Sequence, residues 1–278
     1  MTATILSGQE IANNILSNLR EKNAGQKLQL AVLQVGDNSV STSYIQKKKE
    51  AAAAVGIEFL MHSLESATSQ QDVIAVIASI AKNPEVTGLV VQLPLPKHLN
   101  AQAILDSIPV EKDPDMLSSL AFGMFALGTS PILPPTVAAV EKLLEAYKIE
   151  PEGKKVALIG SGRLVGLPLS LWLSKKQVTV TTLNRSTPDL SSHTKEADII
   201  ISGAGSPNLI KASMVKKGAV VIDLGTSVEE GRTTGDVDFE DVVKQAGAVT
   251  PVPGGVGPLT VACLLENLVT LSSWTSKY

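Results

Sequence analysis

Short apolar runs alternate along the chain with Gly, Asn or Ser breaks and with segments of helical periodicity. In the first half, the runs predict three buried strands, at Leu28–Val35, Phe59–Leu64 and Gly88–Leu93. In the second half, they predict four more, at Val156–Ile159, Val178–Leu183, Ile199–Ser202 and Ala219–Leu224. Strands that alternate with helices in this way are typical of a parallel α/β sheet.

Apolar residues at helical spacing predict the helices between these strands. They are expected at Ser41–Val55, Gln71–Ala81, Ala101–Ile108, Thr136–Tyr147 and Leu167–Leu173, and a last helix runs from about Pro258 to Leu271. The Pro-rich stretch Pro131–Pro135 separates the two halves. We therefore predict two α/β domains, over residues 1–130 and 131–257, with a cleft between them. The C-terminal helix, 258–278, can pack on either domain, and we assign it to the first.

Composition excludes several classes of function. The 278 residues include 24 Lys+Arg and 27 Asp+Glu, a net charge of −3, which argues against a nucleic-acid binder with a broad basic surface. Apolar runs are too short to cross a bilayer. One cysteine, Cys263, and three histidines cannot supply a disulfide framework or a Cys/His zinc site within one chain. The N-terminal residues lack a signal-peptide pattern, so we expect a cytoplasmic protein without a metal.

A glycine-rich loop follows the predicted strand Val156–Ile159. Gly160, Gly162 and Gly166 form the pattern GxGxxxG and open an apolar helix. Such a turn brings backbone N–H groups at a helix N-terminus close to a pyrophosphate. The loop predicts a Rossmann-like NAD(P)-binding domain, although a tight turn without a ligand has the same glycines.

The end of the following strand bears on which dinucleotide is bound. NAD-preferring folds usually have an acidic residue there, whereas this chain has Asn184, Arg185 and Ser186. Arginine and hydroxyl groups suit a 2′-phosphate, which favours NADP and leaves NAD possible. An exposed arginine in a polar loop is the alternative.

Polar residues near the first-half strands are candidates for catalysis. Tyr44 and Lys48 are four residues apart and project from one face of a predicted helix. Gln92 ends an otherwise apolar strand, at the sheet edge where ligands bind in open parallel sheets. The run Lys47–Lys49 is also compatible with a solvated helix face, and Gln92 with a residue that only satisfies loop backbone.

Two loops add further candidates. Asp113 and Asp115 flank Pro114 in a segment that is also a plausible turn. Near the C-terminus, Pro251–Pro258 combines three glycines with three prolines, a composition that fixes the chain path and lets backbone approach a flat ligand closely. A structural hinge is the alternative for that loop.

Five motifs together resemble one family, in its order and spacing, over essentially the whole chain. They are Tyr44-Ile-Gln-Lys-Lys48, Val91-Gln-Leu-Pro-Leu-Pro96, Lys112-Asp-Pro-Asp115, Gly160-x-Gly-Arg-Leu-Val-Gly166 and Thr250-Pro-Val-Pro-Gly-Gly-Val-Gly-Pro-Leu-Thr260. The chain resembles bifunctional methylenetetrahydrofolate dehydrogenase/methenyltetrahydrofolate cyclohydrolase. The Pro-Gly-Gly-Val-Gly-Pro loop and the Gln-Leu-Pro-Leu-Pro strand end are the specific motifs.

The resemblance implies two reactions of one-carbon metabolism that feed purine synthesis. The family oxidises 5,10-methylenetetrahydrofolate, usually with NADP, to 5,10-methenyltetrahydrofolate and hydrolyses that cation to 10-formyltetrahydrofolate. It also implies that residues 1–130 form the folate-binding catalytic domain and that the protein is a homodimer.

The resemblance assigns roles residue by residue. Lys48 matches the catalytic lysine, Gln92 its partner, Tyr44 the tyrosine beside the folate and Asp115 the pterin anchor. Further substrate contacts are implied at Pro253, Gly254 and Gly255. Cofactor contacts are implied at Gly160, Ser161, Gly162, Arg163, Val165, Gly166, Arg185, Ser186 and Thr226.

Some positions depart from the family pattern. Ser161 stands where the family commonly has an arginine that helps to bind the 2′-phosphate, and we hypothesise that Arg185 compensates. Met116 replaces the usual glycine beside the pterin anchor, and Thr226 lies in a changed nicotinamide-side motif. These departures keep two alternatives open: a monofunctional NAD(P)-dependent dehydrogenase of the same architecture, or a cofactor-binding regulator that has lost catalysis.

Overall fold

The computed structural model describes residues 3–37, 39–229 and 232–274. The strands in this part of the chain are β1 (Thr4–Ile5), β2 (Gln29–Val35), β3 (Glu58–Leu64), β4 (Gly88–Val91), β5 (Lys155–Ile159), β6 (Thr179–Leu183), β7 (Ile199–Ser202), β8 (Val220–Asp223), β9 (Ser227–Glu229), β10 (Arg232–Thr234) and β11 (Ala248–Val249). The helices are α1 (Gln9–Lys22), α2 (Ser39–Ala54), α3 (Gln70–Lys82), α4 (Ala101–Leu105), α5 (Ser119–Leu127), α6 (Pro135–Ala146), α7 (Gly166–Ser174), α8 (Leu190–Thr194), α9 (Phe239–Val242) and α10 (Val256–Ser272).

The chain divides into two compact units. Of the described residues, the six-strand unit contains those up to Ala12 and those within Thr136–Thr260, and the three-strand unit contains those within Asn13–Pro135 and those from Val261 on. The boundaries fall inside α1 and α10, so each of these helices contributes residues to both units.

The six-strand unit is built on a parallel sheet with the order β1-β11-β8-β7-β5-β6. Its apolar core includes Ile159, Ile200, Val221 and Val249 from neighbouring strands. The strands β9 and β10 pair separately as an antiparallel hairpin. All loops that follow β5, β7 and β8 leave the sheet at its carboxyl edge, where ligands bind in such sheets.

The three-strand unit has a parallel sheet in the order β3-β2-β4. Leu33 of the central strand and Leu89 of β4 pack against Val73 and Ile77 of α3 in one core. Ser69 starts α3, since its hydroxyl accepts a hydrogen bond from the Asp72 N–H. Gln92 follows β4 directly, at the carboxyl edge of this sheet.

The predicted α/β class and the parallel strands are confirmed, and each predicted strand is present with ends within two residues of those expected. The helix expected at Ala101–Ile108 ends earlier, at Leu105. Ser107 and Ile108 instead donate backbone hydrogen bonds to Ile104 and Leu105, three residues back, which tightens the last turn.

The N-terminal segment differs from its predicted domain. The prediction places residues 1–130 in one domain, but β1 pairs in parallel with β11, and the backbone N–H of Leu6 donates to the carbonyl of Val249. The first residues therefore lie in the six-strand unit. A two-residue strand has no periodicity of its own, so its partner is set only by the tertiary fold.

The C-terminal helix divides between the units at Thr260 and Val261, so most of α10 lies in the three-strand unit, and it ends at Ser272. Residues 275–278, which the prediction includes in this helix, lie outside the described residues. None of the described helices is both long enough and apolar enough to span a membrane.

Candidate active site

Lys48 lies on the inward-facing stripe of α2. Ile45 and Ala52, three residues before it and four after it, are buried, whereas Lys47 and Lys49 are exposed. Lys48 itself is half-buried. The phase of the helix therefore distinguishes one lysine in a run of three, a run that by composition is compatible with a solvated face.

The amine of Lys48 contacts Gln92 at the carboxyl end of β4. Lys48 Nζ donates to Gln92 Oε1 at 3.1 Å, and Gln92 Nε2 donates to the Leu93 carbonyl at 2.9 Å. Ser41 Oγ donates to the same carbonyl at 3.2 Å. Because the amide nitrogen of Gln92 is used on backbone, its oxygen is turned toward the lysine. The Gln92 side chain therefore does two things: it donates to a loop carbonyl, and it accepts a hydrogen bond from Lys48.

Electrostatics at Lys48 combine two opposed effects. Burial lowers the pKa of the Lys48 amine, and the negative charge of Asp115 acts in the opposite direction. Burial is the larger effect, so the neutral amine is more populated at neutral pH than for an exposed lysine. A neutral amine has a lone pair and can accept a proton.

Tyr44 lies one turn before Lys48 on α2 and is half-buried. The amine of Lys47 is 5.5 Å from the centre of its ring, a distance compatible with a cation–π contact. The structure thus places Tyr44, Lys48, Gln92 and Asp115 in the three-strand unit, with Lys48 in contact with Gln92 and under the charge of Asp115.

The loop that carries Asp115 is held from inside by Asp113. The buried Asp113 carboxylate accepts hydrogen bonds from the backbone N–H of Ser118 at 2.9 Å and of Leu117 at 3.3 Å. Burial raises the pKa of Asp113 to about 6, against the effect of these hydrogen bonds. Asp113 is therefore a structural residue of the loop, while Asp115 is half-buried.

Met116 adopts a left-handed backbone conformation, with φ of 56°. Glycine tolerates this region without cost, and the resemblance leads one to expect glycine here. The Met116 side chain is only 1% exposed, so its burial offsets the backbone cost. The left-handed conformation typical of glycine is therefore kept directly after Asp115, although methionine occupies the position.

The glycine loop of the six-strand unit connects β5 to α7. Gly160 has φ of 98°, and a Cβ on it would lie 2.5 Å from the Gly203 carbonyl oxygen. A Cβ on Gly166, the first residue of α7, would collide with the Gly160 carbonyl, and Val165 covers Gly203 closely. Two of the three glycines are thus required by packing, and the loop brings exposed backbone at Ser161, Gly162 and Arg163 to the N-terminus of α7.

The residues expected near a 2′-phosphate follow β6 in a tight turn. Asn184 Oδ1 accepts from the Ser186 N–H at 2.9 Å, and the Asn184 N–H donates to Thr187 Oγ1 at 2.9 Å. Arg185 and Ser186 are exposed at this turn. An arginine in this position remains available to an anionic ligand.

Buried carboxylates organise the carboxyl edge of the same sheet. Asp236 accepts from the hydroxyl of Ser202 and from the N–H groups of Ala204 and Ser206, all between 2.7 and 2.8 Å. Asp223 accepts from the N–H groups of Gly225, Asp236 and Val237, and burial raises its pKa to about 6. These bonds shape the loop at Gly203 and the turn that leads to the half-buried Thr226.

The loop Pro251–Pro258 lies in the six-strand unit up to the start of α10. Gly254 has φ of 101°, and its carbonyl accepts from the Gly8 N–H at 3.0 Å. A Cβ on Gly255 would lie 2.5 Å from the Pro251 carbonyl oxygen, so this glycine is required by packing. Pro253 is exposed and Gly254 half-buried.

Three polar residues that the sequence prediction omits support this arrangement: Ser41, Asp236 and Asn267. Each is buried, and each binds backbone groups far along the chain. A buried polar side chain has no sequence signature that separates it from a surface one, because its partners lie in other segments. Only Ser41 has a signal, since it falls on the same helical stripe as Lys48.

Among the described residues, no group of His, Cys, Asp and Glu side chains is arranged to hold a metal ion.

Comparison with known proteins identifies two matching family descriptions. "Tetrahydrofolate dehydrogenase/cyclohydrolase, catalytic domain" matches residues 6–115, and "Tetrahydrofolate dehydrogenase/cyclohydrolase, NAD(P)-binding domain" matches residues 134–276. The chain is 41% identical over 272 residues to the bifunctional protein FolD of Nautilia profundicola, and the match covers 96% of each chain.

Two solved structures are also similar over nearly the full length. A crystal structure of the bifunctional enzyme FolD, methylenetetrahydrofolate dehydrogenase/cyclohydrolase, from Campylobacter jejuni superposes with a TM-score of 0.93 at 41% identity, covering 97% of this chain and 98% of that chain. The Trypanosoma brucei methylenetetrahydrofolate dehydrogenase-cyclohydrolase, solved with NADP and an inhibitor, has a TM-score of 0.93 at 34% identity and covers 98% of each chain.

Proposed function

The chain belongs to the tetrahydrofolate dehydrogenase/cyclohydrolase family, and from this premise we propose that the Lys48–Gln92 pair performs the proton transfer of its hydrolytic step. The protein oxidises 5,10-methylenetetrahydrofolate to 5,10-methenyltetrahydrofolate with NADP and hydrolyses the product to 10-formyltetrahydrofolate. The observation that supports the role of the pair is the hydrogen bond between an oriented glutamine and a lysine whose pKa is lowered by burial.

In the hydrolytic step, water adds to the methenyl carbon, and the attacking oxygen must lose a proton. A neutral Lys48 amine accepts this proton on its lone pair, while one of its N–H groups stays on Gln92 Oε1. The C–N5 bond then breaks, and N5 takes up a proton, which leaves the formyl group on N10. The substrate is a cation, and a positive charge beside Lys48 further disfavours the ammonium form.

Substrate placement in the three-strand unit is proposed for Asp115 and Tyr44. A carboxylate accepts two N–H bonds from the amino-pyrimidinone edge of a pterin, and an aromatic ring stacks on a flat ring system. The pterin-binding role of Asp115 is supported by its position on a loop held rigid by Asp113. Pro253, Gly254 and Gly255 stay a prediction as substrate contacts.

NADP, when bound, supplies the hydride acceptor for the oxidation. The residues of the six-strand unit fit such a group, because the turn at Gly160 and the close packing of Gly166 present backbone N–H groups at the start of α7. We propose that Gly160–Gly166, including Ser161, Arg163 and Val165, hold the pyrophosphate. Arg185 and Ser186 are proposed for the 2′-phosphate and Thr226 for the nicotinamide side.

The test of the lysine is Lys48→Met with Lys49→Met as its control. Purified protein receives methylenetetrahydrofolate and NADP, and methenyl absorbance is followed as it forms and decays. We expect Lys48→Met to lose roughly 100-fold or more of the hydrolytic rate, so that methenyl product accumulates, whereas Lys49→Met matches the wild type. Methenyl decay at the wild-type rate in a folded Lys48→Met protein contradicts the assignment.

The test of the cofactor site is Arg185→Ala, assayed with NADP and with NAD. Loss of a guanidinium that contacts a phosphate costs about 1.5–3 kcal/mol, which corresponds to a rise of at least tenfold in the KM for NADP. NAD has no 2′-phosphate, so its KM should stay within twofold. An unchanged preference between the two cofactors disproves the role of Arg185.

We also propose that the protein is a cytoplasmic homodimer. Support for the dimer comes from the resemblance, and a chain with a single, buried cysteine, Cys263, suits a reducing cytoplasm. Light scattering during size-exclusion chromatography measures the mass directly. A mass of one 29.1 kDa chain at assay concentrations refutes the dimer.

A further inference from the structure

The loop that carries Asp115 is fixed from a distant part of the chain as well as from within. It follows the single helical turn Val110–Lys112 and leads into α5. Asp113 closes it from inside through the N–H groups of Leu117 and Ser118. From outside it is held by Asn267 of α10, more than 150 residues later in the sequence and in the same unit.

Asn267 uses one amide nitrogen for two backbone carbonyls. Its Nδ2 donates to the Pro114 carbonyl at 2.9 Å and to the Leu133 carbonyl at 2.8 Å. The side chain is 6% exposed, so water has little access to these bonds. Both hydrogens of the amide are used, which fixes its orientation.

The Pro114 carbonyl belongs to the peptide plane that begins Asp115. Because a peptide bond is planar, holding the oxygen of Pro114 also fixes the N–H of Asp115 and the direction in which that residue leaves the plane. The Pro114 ring packs closely against Gly88 of β4, since a Cβ on that glycine would lie 3.2 Å from its Cγ atom. The residue before Asp115 is therefore held by a strand and by a helix.

We propose that Asn267 is a positioning residue for the substrate: through the carbonyl of Pro114, it sets the position of the Asp115 carboxylate. This inference rests on the proposed role of Asp115. It assigns to the C-terminal helix an effect on the folate site that does not require the helix to touch the substrate.

Two measurable properties depend on this position. The first is the affinity for the pterin ring, because two parallel hydrogen bonds tolerate little displacement of the carboxylate. The second is the pKa of Lys48, which burial lowers and the charge of Asp115 raises. The same loop also carries the buried Asp113 carboxyl. If Asp115 moves away, the pKa of Lys48 falls further.

The experiment compares Asn267→Ala, which removes both donors, with Asn267→Ser, which keeps one hydroxyl donor. Thr270→Val on the same helix is the control, because the Thr270 hydroxyl donates only within the helix, to the Glu266 carbonyl at 2.9 Å. Each variant is checked for folding by circular dichroism. The KM for methylenetetrahydrofolate, the KM for NADP and the pH profile of methenyl hydrolysis are then measured.

For Asn267→Ala we expect the folate KM to rise at least fivefold, the NADP KM to stay within twofold, and the lysine limb of the pH profile to move to lower pH. The folate KM and the pH profile of Asn267→Ser should lie between those of Asn267→Ala and Thr270→Val. If the alanine variant does not fold, the serine variant decides the question. An unchanged folate KM and pH profile in a folded variant reduce Asn267 to a structural residue and overturn the inference. In that case an active wild type still supports the proposed function, whereas an inactive wild type refutes both.

Discussion

Lys48 and Lys49 are adjacent and chemically identical, yet they differ in what surrounds their amines. Lys49 points to solvent, whereas Lys48 lies on the buried stripe of α2 and reaches Gln92. The chemistry proposed for Lys48 depends on this difference, because burial destabilises the ammonium form and lowers the pKa of the amine. At the residue scale, the helical phase selects the catalytic candidate.

Asp113 predicts a pH dependence of stability. Its pKa is raised by burial to about 6, above the ordinary value near 3.8, so the folded state binds this proton more tightly than the unfolded state does. The stabilisation is fully present below the unfolded pKa and is lost as pH rises through about 6. Between these values, each pH unit costs the wild type up to about 1.4 kcal/mol.

Asp113→Asn removes this titration. The free energy of unfolding, measured in urea from pH 4.5 to 7, should therefore fall less steeply for the variant, and the difference between the two proteins should change by roughly 2 kcal/mol over that range. Asp37→Asn, which removes an exposed carboxylate, is the control and should follow the wild type. Parallel curves for wild type and Asp113→Asn rule out the proposed titration.

At the scale of elements, the loop between β5 and α7 contains glycines that packing requires and one that packing does not require. Gly160 and Gly166 are needed because the backbone of neighbouring residues leaves no room for a Cβ. Gly162 has no heavy atom within 4 Å of its Cβ position, so the fold itself does not require glycine there. A glycine there suits the close approach of the pyrophosphate that we propose for this loop.

Substituting alanine distinguishes the two kinds of glycine. Gly160→Ala should lower the free energy of unfolding by about 1–3 kcal/mol, because it adds left-handed strain to a steric overlap. Gly162→Ala should change the free energy of unfolding by less than about 1 kcal/mol and still raise the KM for NADP. A normal NADP KM in Gly162→Ala would falsify the placement of the pyrophosphate on this loop.

At the scale of the whole molecule, the N-terminal segment belongs to a unit that is otherwise formed by the second half of the chain. Tyr147, directly after α6, accepts from the Ser7 N–H at 2.8 Å, and β1 extends the sheet beyond β11. Leu6 is 1% exposed, while its neighbour Ile5 is 42% exposed. Ile5 therefore faces solvent at the end of β1, and the residue that follows the strand is buried.

This placement predicts unequal effects of two similar substitutions. Leu6→Ala should destabilise the protein by about 2–5 kcal/mol and Ile5→Ala by less than about 1 kcal/mol. Equal losses in the two variants, measured by urea unfolding, contradict the burial of Leu6.

Much of the architecture follows from local patterns. The buried strands, the long helices and the glycine loop are each encoded within a continuous stretch of sequence, because periodicity and turn chemistry act between near neighbours. Tyr44, Lys48 and Gln92 could also be singled out from the sequence, since they occupy a helix face and the end of a strand. The match to a known family then relates these residues to a reaction.

The contacts that make these residues a site were decided only by the tertiary structure. The pairing of β1 with β11, the Lys48–Gln92 hydrogen bond and the attachment of Asn267 to Pro114 join residues that are between 44 and 244 positions apart. No local pattern records such a pair, because either partner alone is compatible with solvent. The sequence by itself determined the elements and the residue types at their ends, and the tertiary structure determined which of them share a buried environment, where burial and neighbouring charge alter their chemistry.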